Sequence, residues 1–234
     1  MEVLAIIPAR GGSKRIPKKN IADFDGKPVI AWAIETALKT PSISRVLVNT
    51  DDAEIQEIAM AHGADVPFLR PAALAQDTIG IEPVLIDTLE WLKKNEGYVP
   101  DAIALLMPTN PLRTPEVLDQ AITRFKETAA DSVVTVSEAR ANRNPHWILR
   151  KNEEGRVVLF DGVSLKSIRT RSQDLPPCYS RNDIAYILKP SNLYEEPSNL
   201  YGDKVELFVM DEFFDGDINT PEDLHIALDK FRRR

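Results

Sequence analysis

Short apolar runs alternate with helix-like segments along the first 136 residues, and this alternation restricts the possible folds more than any other feature of the chain. Runs that are apolar at nearly every position are typical of strands buried on both faces of a parallel sheet. This order predicts a mostly parallel α/β sheet with helices on both of its faces. The predicted strands are 3–7, 45–49, 66–69, 102–106 and 132–136, and three of the predicted helices are 29–39, 81–95 and 115–127. A fourth predicted helix is capped at its start by Asp51 and Glu54 and runs to about residue 62.

The pattern changes after about residue 139, where shorter β-type runs and polar loops replace the helices. A stretch of turn residues between two such runs is typical of a hairpin. We therefore predict one domain over residues 1–234 with a β-rich excursion over 139–177. The predicted elements here are a hairpin of 147–151 and 156–160, a polar loop over 164–177, strands at 184–188 and 205–210, and a helix at 221–231.

Composition excludes several classes of protein. The chain has 234 residues and a single cysteine, so we expect neither a disulfide framework nor a multi-cysteine metal site. It lacks an apolar stretch long enough for a membrane span and has no typical signal peptide, so we expect a cytoplasmic protein without a membrane partner. A net charge of −7 argues against a general nucleic-acid binder.

A basic loop interrupts this acidic chain directly after the first predicted strand. No acid occurs between Glu2 and Asp23, and the glycine pair Gly11–Gly12 lies in the same segment. Ligands of open α/β sheets bind beyond the carboxyl ends of strands, and glycine-rich backbone can approach an anion closely. The loop therefore predicts a polyphosphate site, although neither a Walker nor a GxGxxG motif is present, and a solvated loop with turn glycines is the alternative. Its bases are Arg10, Lys14, Arg15, Lys18 and Lys19.

A second charged segment lies near the end of the chain. Asp215, Asp217 and Asn219 alternate, so on an extended segment their side chains would share one face. Oxygen ligands of this kind suit Mg²⁺, which combines one or two carboxylates with substrate phosphates. The alternative is an acidic turn that caps the last helix through Asn219 or Thr220.

Several dispersed motifs resemble those of one enzyme family. The string IIPARGGSKRIPKKNI at 6–21 resembles the signature loop of the CMP-sugar synthetases, the acylneuraminate cytidylyltransferase family. The resemblance implies a Rossmann-like nucleotidyltransferase fold of the GT-A type. It also implies transfer of CMP from CTP to the anomeric hydroxyl of a nonulosonic acid, with Mg²⁺, release of pyrophosphate, and a homodimer to which the excursion contributes. The other matching strings are FLRPAALAQDT at 68–78, LLMPTNPLRT at 105–114, RSQDLPP at 171–177 and GDINTPEDL at 216–224.

The resemblance also implies roles for individual residues. Arg10, Lys19 and Asp217 would be catalytic, with Lys19 stabilising charge on the α-phosphate. The general base stays open between Asp217 and a metal-bound hydroxide. The nucleotide would contact Ala9, Arg10, Gly11, Ser13, Lys14, Lys19, Asn20, Arg70, Asp77 and Thr78; the sugar acid would contact Met107, Thr109, Asn110, Arg113, Arg171, Gln173 and Arg181; and the metal would be held by Asp217, Asn219 and Asp215.

The chain departs from the family pattern at three places. Asn219 replaces the usual second aspartate, Met107 replaces the glutamine of many sialic-acid members, and residues 79–81 lack the hydroxyl side chains common in relatives. These departures leave the particular sugar undetermined. Asn219 and residues 79–81 also motivate an alternative, a non-catalytic nucleotide- or sugar-binding protein on the same fold. Within the enzyme class the second alternative is a cytidylyltransferase for an eight-carbon sugar acid, whose typical loop has a Gly-Ser arrangement different from that of residues 11–14.

Overall fold

The structure is a computed structural model that describes residues 1–233, and a six-stranded sheet forms its centre. The strands are β1 (Val3–Pro8), β2 (Asp23–Phe24), β3 (Lys27–Pro28), β4 (Arg45–Asn49), β5 (Ala102–Leu105), β6 (Ser132–Glu138), β7 (Leu149–Lys151), β8 (Val157–Leu159), β9 (Tyr179–Leu188) and β10 (Val205–Met210). The helices are α1 (Val29–Leu38), α2 (Ala53–Ala61), α3 (Ile81–Glu96), α4 (Pro115–Thr128) and α5 (Pro221–Arg232).

The sheet has the order β10-β6-β9-β5-β1-β4. β1 pairs in parallel with β4 and β5, and β10 pairs in parallel with β6. β9 lies antiparallel between β5 and β6. The predicted mostly parallel sheet is therefore confirmed, and the carboxyl ends of β1, β4, β5, β6 and β10 lie along one edge, where ligands of such sheets bind.

Both faces of β1 are buried, which explains its uninterrupted apolar sequence. Ala5 and Ile7 pack in a cluster with residues of α1, α2 and α4 on one face of the sheet. Leu4 and Ile6 pack with residues of α3 on the other face. Each apolar residue of the strand thus contributes to one of two core layers, as expected for a central parallel strand.

Two local predictions are wrong. Residues 66–69 form no regular strand; in the segment 65–69 only single bridges occur, from Asp65 to Leu47 on β4 and from Leu69 to Thr50 just after β4. The N-cap of α2 is Asp52 and not Asp51, because Asp52 Oδ1 accepts hydrogen bonds from the backbone N–H groups of Glu54 and Ile55 at 2.8 and 3.2 Å. This leaves the carboxylate of Asp51 available to a different segment.

The region after residue 139 contains the predicted hairpin. β7 pairs antiparallel with β8 in a separate two-stranded sheet, and short 3₁₀ turns occupy much of the following polar loop. Apolar side chains are exposed here, among them Leu149, Val157 and Phe160. Among residues 1–233, no helix is both long and apolar enough to cross a membrane.

Candidate active site

Two adjoining clefts open at the carboxyl ends of the parallel strands. The smaller, of about 490 Å³, is bordered by the loop after β1 and by residues 107–109 that follow β5. The larger, of about 640 Å³, is bordered by the end of β6, the start of β9 and the segment 215–219. Asn219 borders both clefts, so the two cavities meet at this residue.

Backbone hydrogen bonds fix the loop that follows β1. Ala9 N–H donates to the Asn49 carbonyl at 2.9 Å, and the Ala9 methyl is buried in the core. Gly11 N–H donates to Asp51 Oδ1 at 3.0 Å, and a Cβ at Gly11 would overlap the side chain of Asp52. Glycine is therefore required at position 11 by the close approach of α2.

Asn20 closes the loop from its other end. This buried side chain donates to the Arg10 carbonyl at 2.9 Å and borders the smaller cleft together with Ser13. Sequence reasoning missed Asp51 as a support of the loop. Its position directly beyond the carboxyl end of β4 was the signal that could have indicated it.

The cations of the loop face a carboxylate on the opposite side of the smaller cleft. Arg10 Nη1 donates to Asp77 Oδ1, and the ammonium of Lys14 contacts Asp77 Oδ2. These hydrogen bonds, from Lys14 first and Arg10 second, hold the pKa of Asp77 below its usual value. Thr78 beside it is exposed. Two cations predicted to bind a triphosphate thus converge on one anionic group.

Lys19 reaches the far end of the chain. Its Nζ donates to the Ile218 carbonyl at 2.8 Å and lies 3.4 Å from Asn219 Oδ1. Burial lowers the pKa of Lys19, and the nearby charge of Asp217 opposes this shift. An ammonium group is therefore held at the boundary between the two clefts.

The two remaining bases of the loop differ. Lys18 forms an ion pair with Glu54 on α2 and adopts the left-handed conformation, with φ 51°. Arg15 is exposed and borders the smaller cleft. The structure therefore places Arg15 beside Lys19 and places Lys18 on the surface near α2.

Arg70 is buried and bound to the end of β4. Its guanidinium donates to the side-chain oxygen of Asn49 and, at 2.8 Å, to the Asn49 carbonyl. Asn49 in turn donates to Thr88 on α3 at 2.9 Å. Burial lowers the pKa of Arg70. Arg70 thus fixes the edge of the sheet next to the basic loop.

The turn after β5 connects directly to the acidic segment. Thr109 Oγ1 donates to Asp217 Oδ1, and Ile218 N–H donates to the Thr109 carbonyl at 2.9 Å. Met107 is half-buried and borders the smaller cleft with Thr109. The predicted sugar-side and metal-side residues Thr109 and Asp217 are therefore in contact.

Asn110 and Arg113 were expected to contact the substrate, and the structure corrects this expectation. Asn110 is 0% exposed and donates to the carbonyls of Asn182 and Phe214 at 2.9 and 3.1 Å. Arg113 is 2% exposed and donates to the carbonyls of Met107 and Ile184 at 2.7 and 3.0 Å. Because Asn110 Nδ2 and Arg113 Nε and Nη2 bind backbone carbonyls inside the protein, both residues position the walls of the site.

Burial also affects the charge of Arg113. Removal from water lowers its pKa to about 9, while the charges of Asp217 and Asp183 favour the protonated form. A buried guanidinium therefore lies within the electrostatic influence of two carboxylates that border the larger cleft.

The acidic segment both caps α5 and borders the larger cleft. Thr220 is the N-cap of α5 and forms a capping box with Asp223, as the alternative interpretation of this segment predicted. Asn219 Nδ2 donates to Asp217 Oδ2, so these two side chains share one face. Asp215 also borders the larger cleft, where its charge acts on Arg140.

These groups could hold Mg²⁺ only together with oxygen ligands from a bound substrate. Among residues 1–233, no group of three or more His, Cys, Asp or Glu side chains is arranged to hold a metal ion. The carboxylate of Asp217 contacts the amide nitrogen of Asn219, and the amide oxygen of Asn219 lies 3.4 Å from Lys19 Nζ, beside a cleft bordered by cations. Such a sparse set matches the habit of Mg²⁺, which is bound by one or two carboxylates together with phosphate oxygens.

The three remaining predicted sugar contacts lie in two places. Arg181 on β9 borders the larger cleft, and its Nη1 donates to Tyr201 Oη at 2.8 Å. Arg171 is exposed and forms a bidentate pair with Asp174 at 2.7 and 2.9 Å. Within residues 1–233, neither Arg171 nor Gln173 is among the residues that border the two clefts.

Basic residues that sequence reasoning missed border the larger cleft. Arg140 pairs with Glu212 through two hydrogen bonds of 2.6 Å. Lys230 on α5 donates to the Asp215 carbonyl at 2.8 Å. Arg143 borders the same cleft. No motif connects these positions in the sequence; they meet because the end of β6, the segment after β10 and α5 converge.

Comparisons with known proteins find one enzyme family over most of the chain. The cytidylyltransferase family model matches residues 4–212. The pseudaminic acid cytidylyltransferase of Campylobacter jejuni is 35% identical over 97% of this chain and 95% of its own length. The CMP-N,N'-diacetyllegionaminic acid synthase of Legionella pneumophila is 34% identical over 95% of this chain and 93% of its own. The N-acylneuraminate cytidylyltransferase of Escherichia coli is 28% identical over 97% of this chain and 51% of its own.

Solved structures show the same fold. The CMP:2-keto-3-deoxy-manno-octonic acid synthetase complexed with CTP superimposes with a TM-score of 0.73 at 18% identity, covering 100% of this chain and 99% of the other. A 4-diphosphocytidyl-2C-methyl-D-erythritol synthase from Anaerococcus prevotii superimposes with a TM-score of 0.68 at 13% identity. At these identities the likeness bears on architecture alone, and it agrees with the predicted nucleotidyltransferase-type α/β fold.

Proposed function

The chain belongs to the cytidylyltransferase family, and we propose that it transfers CMP from CTP to the anomeric hydroxyl of a nonulosonic acid, with release of pyrophosphate. The observation that carries this proposal is the junction of the two clefts at Asn219, with Lys19 Nζ 3.4 Å from its amide oxygen. A nucleotide in one cleft and an acceptor in the other would meet at this point, beside a half-buried cation.

The smaller cleft is the proposed site of the triphosphate. Arg10 and Lys14 supply charge at its rim, and Gly11 lets the loop that carries them pack against Asp52. Lys19 lies deeper and would stabilise the charge that develops on the α-phosphate as pyrophosphate leaves. Nucleotidyl transfer depends mainly on positioning and on such cations, so the proposal needs no covalent intermediate.

We propose Mg²⁺ as the cofactor, held by Asp217 and the amide oxygen of Asn219, with Asp215 as a further candidate. The ion would neutralise phosphate charge and orient the oxygens of CTP. Thr109 supports this role because its hydroxyl fixes one oxygen of Asp217. Asp217 is also the candidate to accept the proton of the attacking hydroxyl, with a metal-bound hydroxide as the alternative.

The larger cleft is the proposed site of the sugar acid. Arg181 is the candidate partner of its carboxylate, since a guanidinium can bind both oxygens of such a group. We further propose a cytoplasmic homodimer in which the hairpin region reaches the second copy. The exposed Leu149, Val157 and Phe160 support this, because a cluster of exposed apolar side chains is typical of an interface. Arg171 and Gln173 would then belong to the site of the second copy.

One observation favours a second candidate function. Asn219 donates a hydrogen bond to Asp217, so a family metal position presents a neutral amide in contact with the remaining carboxylate. If this weakened metal binding enough, the protein would bind CTP and sugar without catalysing transfer.

Pyrophosphate release tests the proposal. The protein is incubated with CTP, Mg²⁺ and a panel of nonulosonic acids, with an eight-carbon sugar acid as comparison. Release that requires both CTP and a nonulosonic acid is the expected result. Tight CTP binding by calorimetry without release at high Mg²⁺ would favour the binding protein, and release only with the eight-carbon acid would favour the other alternative.

A further inference from the structure

Asp183 occupies a conformation that aspartate seldom adopts, at the wall of the larger cleft. Its φ is 55°, in the left-handed region, next to an irregularity in the pairing of β6 with β9. A non-glycine residue in this region is uncommon, although aspartate tolerates it better than most. Such conformations persist where the surrounding structure determines them, and they cluster at functional sites.

Two buried side chains stabilise this irregularity by hydrogen bonds to its backbone. Arg113 donates to the carbonyls of Asp183 and Ile184 at 3.3 and 3.0 Å, and Asn110 donates to the carbonyl of Asn182 at 2.9 Å. Both come from the turn after β5, which also carries Thr109 at the junction of the clefts. The backbone of Asp183 is thus connected to the segment that contacts the proposed catalytic residues.

The carboxylate of Asp183 is oriented by a buried phenol. Tyr186 is 3% exposed, and its hydroxyl donates to Asp183 Oδ1. Burial, together with the carboxylate, raises the pKa of Tyr186, so the phenol remains a donor. In the described part of the chain, Asp183 Oδ2 accepts no hydrogen bond. One oxygen is therefore fixed from inside, and the other is available to a ligand.

The charge of this group restricts what can lie against it. A carboxylate repels an anionic substrate unless the part of the substrate that faces it offers a hydrogen-bond donor. Arg181, two residues earlier on the same strand, borders the same cleft and offers the opposite charge. The wall therefore presents a cation and an acceptor side by side, which would orient a ligand that has an acid at one end and donors at the other.

We propose that Asp183 is a specificity-determining residue for the sugar acid, and this rests on the proposed function above. Its free oxygen accepts a hydrogen bond from an N–H or O–H donor on the sugar, away from the substrate carboxylate. Tyr186 acts as a positioning residue that sets the direction of that oxygen. An acceptor sugar that lacks a donor at this place leaves a carboxylate unpaired and is disfavoured.

The test compares acceptors that differ at one carbon. Pyrophosphate release is measured with nonulosonic acids bearing an acylamino group, a hydroxyl group or hydrogen at C5 and, in a second set, at C7. For the wild type we expect a preference of about 10- to 100-fold in kcat/KM for a donor over hydrogen at one of the two carbons. Comparison of the acylamino and hydroxyl compounds shows whether the residue recognises an N–H or an O–H donor.

Asp183→Asn is the informative variant. If the amide oxygen of Asn at position 183 still accepts from Tyr186, its NH₂ group takes the place of Oδ2 and offers donors instead of an acceptor. The preference for a donor on the sugar should then disappear, while KM for CTP should change less than about twofold. Asp183→Gly, which suits the backbone conformation, is the second variant in case the first folds poorly. Glu57→Gln, exposed on α2, is the matched control.

Each outcome has a distinct meaning. Retention of the wild-type preference in both variants, or an equal loss on all acceptors, overturns the role of Asp183 and leaves the proposed function standing. Absence of pyrophosphate release by the wild type with every sugar acid overturns the proposed function and this inference together.

Discussion

Arg10 Nη1 lies 2.5 Å from Asp77 Oδ1, so a cation proposed to bind the triphosphate is already paired with a carboxylate of its own chain. Lys14 contacts the second oxygen of the same carboxylate. A bound triphosphate would have to replace Asp77 as the partner of these two cations. The pairing keeps a basic loop neutralised within an acidic protein and turns nucleotide binding into an exchange of anions.

Replacement of Asp77 should therefore tighten phosphate binding. In Asp77→Asn the cations no longer have a competing carboxylate, and we expect the Kd for pyrophosphate or CTP to fall about two- to fivefold at low salt, a small change because the pairs are exposed. Calorimetry measures this, and Asp174→Asn, which breaks the pair with Arg171 instead, is the control. Weaker binding by Asp77→Asn would show that Asp77 itself assists the nucleotide.

Lys19 should control the alkaline limit of activity. Its pKa is lowered by burial, so kcat should decline as the pH rises through this lowered pKa and the cation loses its proton. Lys19→Arg keeps the charge and should move the alkaline limit to higher pH, whereas Lys19→Gln should lower kcat about 100- to 1000-fold. A pH profile of kcat measures both, and an alkaline limit that is unchanged in Lys19→Arg would contradict the assignment.

Asn219 should set the requirement for Mg²⁺. Asn219→Asp replaces an amide that donates to Asp217 by a second carboxylate, which favours a divalent cation and repels Asp217 without one. We expect half-maximal pyrophosphate release at about tenfold lower Mg²⁺. The capping of α5 should persist, because Asp223 accepts from the backbone N–H of residue 219. An identical Mg²⁺ titration in variant and wild type would exclude this position as a ligand.

Asn110 should be needed for stability. Asn110→Ala removes three hydrogen bonds, two donated to the carbonyls of Asn182 and Phe214 and one accepted from Leu112 N–H. Because the two carbonyls are left unpaired in the interior, we expect a loss of about 2–3 kcal/mol in the free energy of unfolding. Urea denaturation measures this loss. Asn95→Ala, at an exposed position near the end of α3, should change it by less than about 0.5 kcal/mol. A loss of sugar affinity at unchanged stability would restore the predicted substrate contact.

Much of the fold follows from local patterns. The five strands that make parallel contacts and the five helices were all predicted, because apolar runs are typical of strands and helices repeat apolar residues at their own period. Burial on both faces explains the run in β1, whereas the edge strand β10 is only partly buried. The wrong strand at residues 66–69 shows the limit of such patterns. A short apolar run indicates burial, but whether it pairs along its length depends on what lies beside it.

The sequence by itself determined the order of the elements, the carboxyl edge of the sheet where we propose the ligand site, and the segments that carry charge. Only the tertiary structure decided which side chains meet: Lys19 with the carbonyl of Ile218, 199 residues away, and Arg10 with Asp77, 67 residues away. It also placed Arg113 and Asn110 inside the protein and Asp183 at the cleft. The physical reason is that a local pattern encodes how a segment is buried, whereas a hydrogen bond or an ion pair depends on the position of a partner from a distant segment.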